Sequence, residues 1–107
     1  MVVKRFEVYL VNVDSAVSAE AKKTRPCVVL SPDEDNRFIA TVIVAPITSK
    51  GHRYPTRVPC QLEGKNCQVI LDQVRTVDKV RLVQKMGRLG RPIQKAVLAT
   101  LAEMFTE

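Results

Sequence analysis

Ile39-Ala40-Thr41-Val42-Ile43-Val44-Ala45-Pro46-Ile47 is the stretch on which the fold class turns. It is apolar almost throughout, and its Val and Ile residues are β-branched, so it reads as a long buried strand. Pro46 stands at its end, where a missing N–H costs a sheet least. The apolar part, residues 41–47, is far shorter than the roughly 20 residues that span a bilayer. No membrane segment is therefore expected.

The neighbouring segments repeat the theme on both sides. Residues 26–30 form a second buried strand, and residues 6–13 (FEVYLVNV) alternate with period two. Beyond the central run, residues 56–62 and 68–74 pair as a hairpin across Glu63-Gly64-Lys65-Asn66, whose glycine and asparagine tolerate positive φ. Residues 83–89 supply a sixth strand. One helix is expected, at the end: Pro92 follows Gly90 with its φ already set, and Ile93, Val97, Leu101, Met104 and Phe105 recur at helical spacing. Short antiparallel strands with a single helix suit a β-rich α+β fold, a small SH3-like antiparallel β-barrel closed by a C-terminal helix. At 107 residues, with no repeat, linker or low-complexity segment, the chain is expected to be one domain over residues 1–107 with one core.

Composition narrows the function. Hydrophobic residues are 46% and charged residues 26%, which excludes a disordered chain. Lys4 and Arg5 open the N-terminal region, but Glu7 and Asn12 interrupt the apolar residues behind them, unlike a signal-peptide core. A cytoplasmic protein is expected. Cys27, Cys60 and Cys67 lack CxxC spacing and have a single histidine, His52, beside them, so a structural metal is not expected. Cys27 sits in an apolar run and Cys60 alternates with Val58 and Leu62, the pattern of reduced core thiols. Lys plus Arg is 17 against 11 Asp plus Glu, a net charge of +6 that favours a polyanionic partner. The cations cluster: Lys22, Lys23 and Arg25; Lys50, Arg53 and Arg57; then Arg75, Lys79, Arg81, Lys85, Arg88 and Arg91. Acidic residues gather elsewhere, notably at Asp33, Glu34 and Asp35.

Three strings then carry a resemblance: Thr24-Arg25-Pro26-Cys27-Val28-Val29-Leu30-Ser31, Val42-Ile43-Val44-Ala45-Pro46-Ile47-Thr48-Ser49, and Leu71-Asp72-Gln73-Val74-Arg75-Thr76-Val77-Asp78-Lys79. In this order, with Tyr54-Pro55-Thr56 between the last two, they resemble the MazF/PemK family of toxins, whose fold is shared with Kid and CcdB. The resemblance covers nearly the whole chain. It implies an endoribonuclease, an mRNA interferase, in which the 2′-hydroxyl of single-stranded RNA attacks the adjacent 3′-phosphate, leaving a 2′,3′-cyclic phosphate and a 5′-hydroxyl. No metal or other cofactor is implied. The chemistry needs a group to take the 2′-proton, a donor for the leaving oxygen, and positive charge on the phosphorane.

Arg25, Thr48 and Glu20 match the family's catalytic positions. Arg25 is assigned to the phosphorane, because a guanidinium gives two parallel charged hydrogen bonds and its high pKa makes it a poor base. Thr48 supplies a hydroxyl that both donates and accepts; read alone, it is a turn residue satisfying its own backbone. Glu20 is the candidate for the 2′-proton, although in Ser18-Ala19-Glu20-Ala21-Lys22 it reads alone as a solvated loop charge. In this loop Ser15 replaces a common proline and Ser18-Ala19 replaces Gly-Ser, which bears on loop shape and cut-site preference. Near the start, Phe6-Glu7 replaces a frequent Gly-Asp, a change a strand is expected to tolerate.

RNA contacts are expected from Lys23, Ser49, Lys50, His52, Arg53, Tyr54, Gln73 and Arg75. Gln73 and Arg75 lie two apart and, in one strand, share a face; without a ligand the same pattern is a half-solvated strand. An imidazole is the usual acid or base in metal-free RNA cleavage, but His52 sits in an exposed turn, which suits contact rather than catalysis. Tyr54 either stacks on a base or covers the core beside Pro55. The resemblance further implies a homodimer and a small acidic MazE-like antitoxin. Two other readings stand beside it: a noncatalytic RNA- or protein-binding relative of the same fold, and a topoisomerase poison of the CcdB type, which would have no chemical use for Arg25 and Thr48.

Overall fold

The computed structural model describes residues 2–12 and 23–107. Within them the order is β1 (Glu7–Asn12), β2 (Thr24–Val29), α1 (Asp33–Phe38), β3 (Thr41–Thr48), β4 (Arg57–Leu62), β5 (Lys65–Ile70), β6 (Arg75–Asp78), β7 (Leu82–Arg88) and α2 (Arg91–Met104). Short 3₁₀ turns, Leu71–Gln73 and Lys79–Arg81, precede β6 and β7. Every strand pair is antiparallel.

The central apolar run is the hub of the sheet. The strand order is β4-β5-β3-β2-β1-β7, with β6 on β3 as well. Val44 faces Val29 across one edge of β3 and Arg75 across the other. On that second edge Thr41 to Val44 pair with β6, whereas Ile47 and Thr48 pair with β5. The 3₁₀ turn between β5 and β6 lets one edge serve two directions, and the sheet curls into a half-barrel. Register shifts between β1 and β7 add to the bend.

Both faces of the central strands are buried, which is why their sequences run apolar. On one face Phe6, Val8, Val28, Leu30, Ala45 and Ile47 join Val58, Val69 and Leu71 beneath Val97 of α2. On the other, Tyr9, Val11, Cys27, Val29, Val42 and Val44 meet Val77 and Leu82 inside the curl. A fully buried valine such as Val8, Val28 or Val44 contributes about 1.5 kcal/mol or more. Among the described residues, no helix is long and apolar enough to cross a membrane.

Several sequence expectations need correction. The strand expected over 68–74 stops at Ile70, because Leu71 to Gln73 turn as a 3₁₀ helix; Gln73 and Arg75 therefore do not share one strand face. The hairpin turn is two residues long, Glu63 at φ 52° and Gly64 at φ 77°, so Lys65 and Asn66 belong to β5. Six strands become seven through β6. A helix also appears where only an acidic cluster was noted: Pro32 leads into α1, whose first turn holds Asp33, Glu34 and Asp35 at the favourable end of its dipole. Buried Asn36 ties it down, accepting from the Ser31 hydroxyl and donating to the Ser31 carbonyl at 2.9 Å. Phe105 lies past the end of α2 and is 80% exposed. Phe6 precedes β1 at φ 71°, a left-handed conformation that glycine adopts freely, so it is not a strand position that accepts any residue. Its burial and its backbone bonds to Val29 and Leu89 hold it there.

Candidate active site

A cleft of about 630 Å³ opens where the start of β2, the end of β3 and the β4–β5 hairpin converge. Antiparallel pairing brings these ends together. Cys27 lies opposite Pro46, two residues inward from Arg25 on β2 and from Thr48 on β3. Pro26 fixes the backbone after Arg25, and both residues line the cleft with Ser49 and Lys50. Arg25 is exposed, and no described carboxylate lies within ion-pair distance of it. Its guanidinium lines the cleft and is paired with no described carboxylate.

Thr48 is half-buried, and its Oγ1 accepts the Lys50 N–H at 3.2 Å. That bond is the turn role read from the residue alone. It leaves the hydroxyl proton available to an oxygen in the cleft, so the turn and the chemistry are compatible.

The loop after Thr48 is held from below. Gln68 of β5 is 8% exposed, and its Nε2 donates to the carbonyls of Lys50, Gly51 and His52 at 3.3–3.4 Å. Arg57 donates to the His52 carbonyl at 3.4 Å and lies 4.8 Å from the Tyr54 ring centroid. Arg57 is itself positioned by Asp72 at 3.5 Å, which also accepts from Thr56 at 2.9 Å. Burial alone would raise the Asp72 pKa, but the Thr56 hydroxyl, its own backbone amide and Arg57 together outweigh it and hold it below its usual value. Gly51 takes φ 107°, and a Cβ there would come within 3.1 Å of Arg57 Nη1. Gln68, Arg57 and Asp72 thus position the loop without touching the cleft, and Gln68 in particular escaped the sequence reading. Its signal was a glutamine in an otherwise apolar stretch.

The expected site residues separate into groups. Arg25, Thr48, Ser49 and Lys50 come together in the cleft. His52, Arg53 and Tyr54 occupy the exposed adjoining loop, with the His52 and Tyr54 rings edge to face at 6.4 Å. Lys23 is exposed just ahead of β2. Gln73 is in the 3₁₀ turn and Arg75 starts β6; neither lines the cleft. The charges of Arg75 and Arg25 both reach Cys27, whose thiol burial pushes up to about 11 against their pull. At 1% exposure that thiol is inert. Glu20 and the altered loop at 15–19 lie outside the described residues. Glu63, Lys65 and Asn66 from the hairpin also line the cleft and were not anticipated, because the hairpin was read only as structure. Among the described residues, no three His, Cys, Asp or Glu side chains converge on one metal position.

The cleft presents a guanidinium, two hydroxyls and two lysine ammonium groups, donors suited to a phosphate group, with the Glu63 carboxylate on its hairpin wall. Comparisons with known proteins give the family. Residues 4–105 match the model of the PemK-like, MazF-like toxins of type II toxin-antitoxin systems. Endoribonuclease EndoA of Bacillus subtilis is 34% identical over 95 residues, which are 83% of this chain and 82% of that protein. The fold matches the crystal structure of MazF from Deinococcus radiodurans with a TM-score of 0.79 at 23% identity, covering 97% of this chain and 96% of that one. It also matches a mycobacterial endoribonuclease in complex with its cognate antitoxin, with a TM-score of 0.80 at 20% identity over 94% and 92% of the two chains. By sequence over nearly its whole length, and by fold, this chain belongs to the PemK/MazF family of type II toxins.

Proposed function

We propose that this endoribonuclease toxin cuts single-stranded RNA at the Arg25–Thr48 cleft by attack of a 2′-hydroxyl on its own 3′-phosphate. The new bond joins O2′ to phosphorus, the bond to O5′ breaks, and the products are a cyclic phosphate and a 5′-hydroxyl. Arg25 binds the phosphorane oxygens and stands as donor to the leaving O5′. The Thr48 hydroxyl donates to the same phosphate. Glu20 takes the 2′-proton. Lys50, Ser49, Lys23, His52, Arg53, Tyr54, Gln73 and Arg75 hold the flanking nucleotides. The reaction uses side chains alone, with no metal.

The observation that carries this reading is that Arg25 and Thr48 line one cleft, with the Arg25 guanidinium unpaired by any described carboxylate. The protein is proposed to work in the cytoplasm as a homodimer with RNA along its interface, restrained by a cognate antitoxin. The antitoxin in the mycobacterial complex of the same fold supports the last point.

The product ends test the chemistry. A cleaved RNA oligonucleotide should carry a 5′-hydroxyl that polynucleotide kinase labels without prior dephosphorylation. Products bearing a 5′-phosphate would exclude attack by the 2′-hydroxyl.

A further inference from the structure

Two of the three cysteines meet across the β4–β5 hairpin. Cys60 and Cys67 are directly opposed in the register, and their sulfurs are 2.8 Å apart. Directly opposed residues in an antiparallel pair have Cα atoms about 4.5–5.5 Å apart, inside the range a disulfide spans. A disulfide needs about 2.05 Å, so the sulfurs have to close by less than about 1 Å. The hairpin already brings the two sulfurs within reach of the bond.

The two thiols differ in access. Cys67 is half-buried and lines the Arg25–Thr48 cleft, whereas Cys60 is 6% exposed and borders a second groove beside Gly90 and Ile93. Burial and the contact with Cys67 push the Cys60 thiol well up, so Cys67 is the sulfur that meets a reagent first. Cys27 belongs to the other core cluster and takes no part.

We propose that Cys60 and Cys67 are a reversible dithiol–disulfide modification site on the wall of the cleft. Only its location at a catalytic cleft rests on the function proposed above; its chemistry does not. The Cys67 thiolate attacks a small-molecule disulfide, whose S–S bond breaks to release one thiol and leave a mixed disulfide. Cys60 then attacks the Cys67 sulfur, the Cys60–Cys67 bond forms, and the second small thiol leaves. The protein loses two electrons, the small disulfide gains them, and the two thiol protons end on the released thiols. In a reducing compartment such a bond is transient, which makes it a sensor rather than a staple.

Trypsin reads the bond directly because Lys65 lies between the two cysteines. The purified full chain, kept dilute, is incubated with oxidised glutathione, denatured, alkylated with iodoacetamide and digested. Peptides 58–65 and 66–75 should appear joined, with Cys27 alkylated, so that alkylatable thiols fall from three to one. Dithiothreitol should separate them. In Cys60→Ser, Cys67 should instead retain a glutathionyl adduct. Three alkylated cysteines after treatment, a link to Cys27, or a link only between chains would overturn the proposal. The wild-type digest decides the matter without any RNA, so a failed RNA assay and a failed disulfide are separate results.

Discussion

At the scale of single residues, two charges illustrate opposite uses of an ion. Arg25 is left without a described carboxylate, as its proposed role at a substrate phosphate requires. Glu7 is 5% exposed and fully engaged: it accepts the Lys4 N–H at 2.6 Å and the Tyr9 hydroxyl at 3.3 Å, and pairs with Lys85. Burial raises the Glu7 pKa, but the Lys85 ammonium, the Lys4 amide and the Tyr9 hydroxyl outweigh it and hold the group below its usual 4.5. A carboxylate lowered on folding stabilises fully above its unfolded value, and that contribution disappears as pH falls through the folded one. Glu7→Gln should therefore flatten the acid limb of a thermal-stability profile below about pH 4.5 and cost about 1–2 kcal/mol at neutrality. An unchanged acid limb would mean that Glu7 does not titrate with folding. Arg25 was singled out in the sequence by the resemblance carried in Thr24-Arg25-Pro26, with a strong strand behind it. The ring of partners around Glu7 was not, since Lys4, Tyr9 and Lys85 meet only after β1 pairs with β7.

Among the elements, strands were easy to read where both their faces are buried and hard to bound for the same reason. Val69, Ile70 and Leu71 are all buried, so apolar continuity ran through the point where β5 ends and a 3₁₀ turn begins. The α1 helix is six residues long, too short to show periodicity, and its fixing contacts come from Ser31 and Asn36 rather than an apolar face. Gln68 is the element-scale counterpart of the proposed catalytic pair, because it joins β5 to the loop that extends from Thr48. Gln68→Leu removes three donor contacts to loop carbonyls and should slow RNA cleavage about tenfold, which corresponds to about 1.4 kcal/mol. His52→Ala should keep most activity, since His52 is hydrogen-bonded through its main-chain carbonyl and its exposed ring meets only the edge of Tyr54 among the described contacts. Steady-state cleavage of a fluorogenic RNA measures both. A loss of about a thousandfold in His52→Ala would make the imidazole the proton shuttle instead.

For the whole molecule, a net charge of +6 and a cleft of cations favour one polyanion or another, so substrate and inhibitor should compete. An acidic antitoxin segment is expected to lie against Lys50, Arg53 and Arg75 and to order itself as it binds. Charge reversal of Arg53 and Arg75 together should weaken the antitoxin peptide and RNA in parallel, and added salt should slow both associations. Tight peptide binding to that double variant with RNA binding lost would place inhibition elsewhere. The curled sheet and its helix were legible from strand spacing and the α2 periodicity, whereas the cleft was not, because the hairpin wall comes from a segment with no catalytic signature. The most direct test of cleavage at Arg25 and Thr48 is to treat one long RNA in excess EDTA, with single-stranded and duplex forms side by side and Arg25→Ala beside the wild type. The wild type should cut only the single strand under chelation, and Arg25→Ala should bind RNA with modestly reduced affinity and leave it intact. Cleavage that requires magnesium, or that survives Arg25→Ala unchanged, would contradict the proposed chemistry.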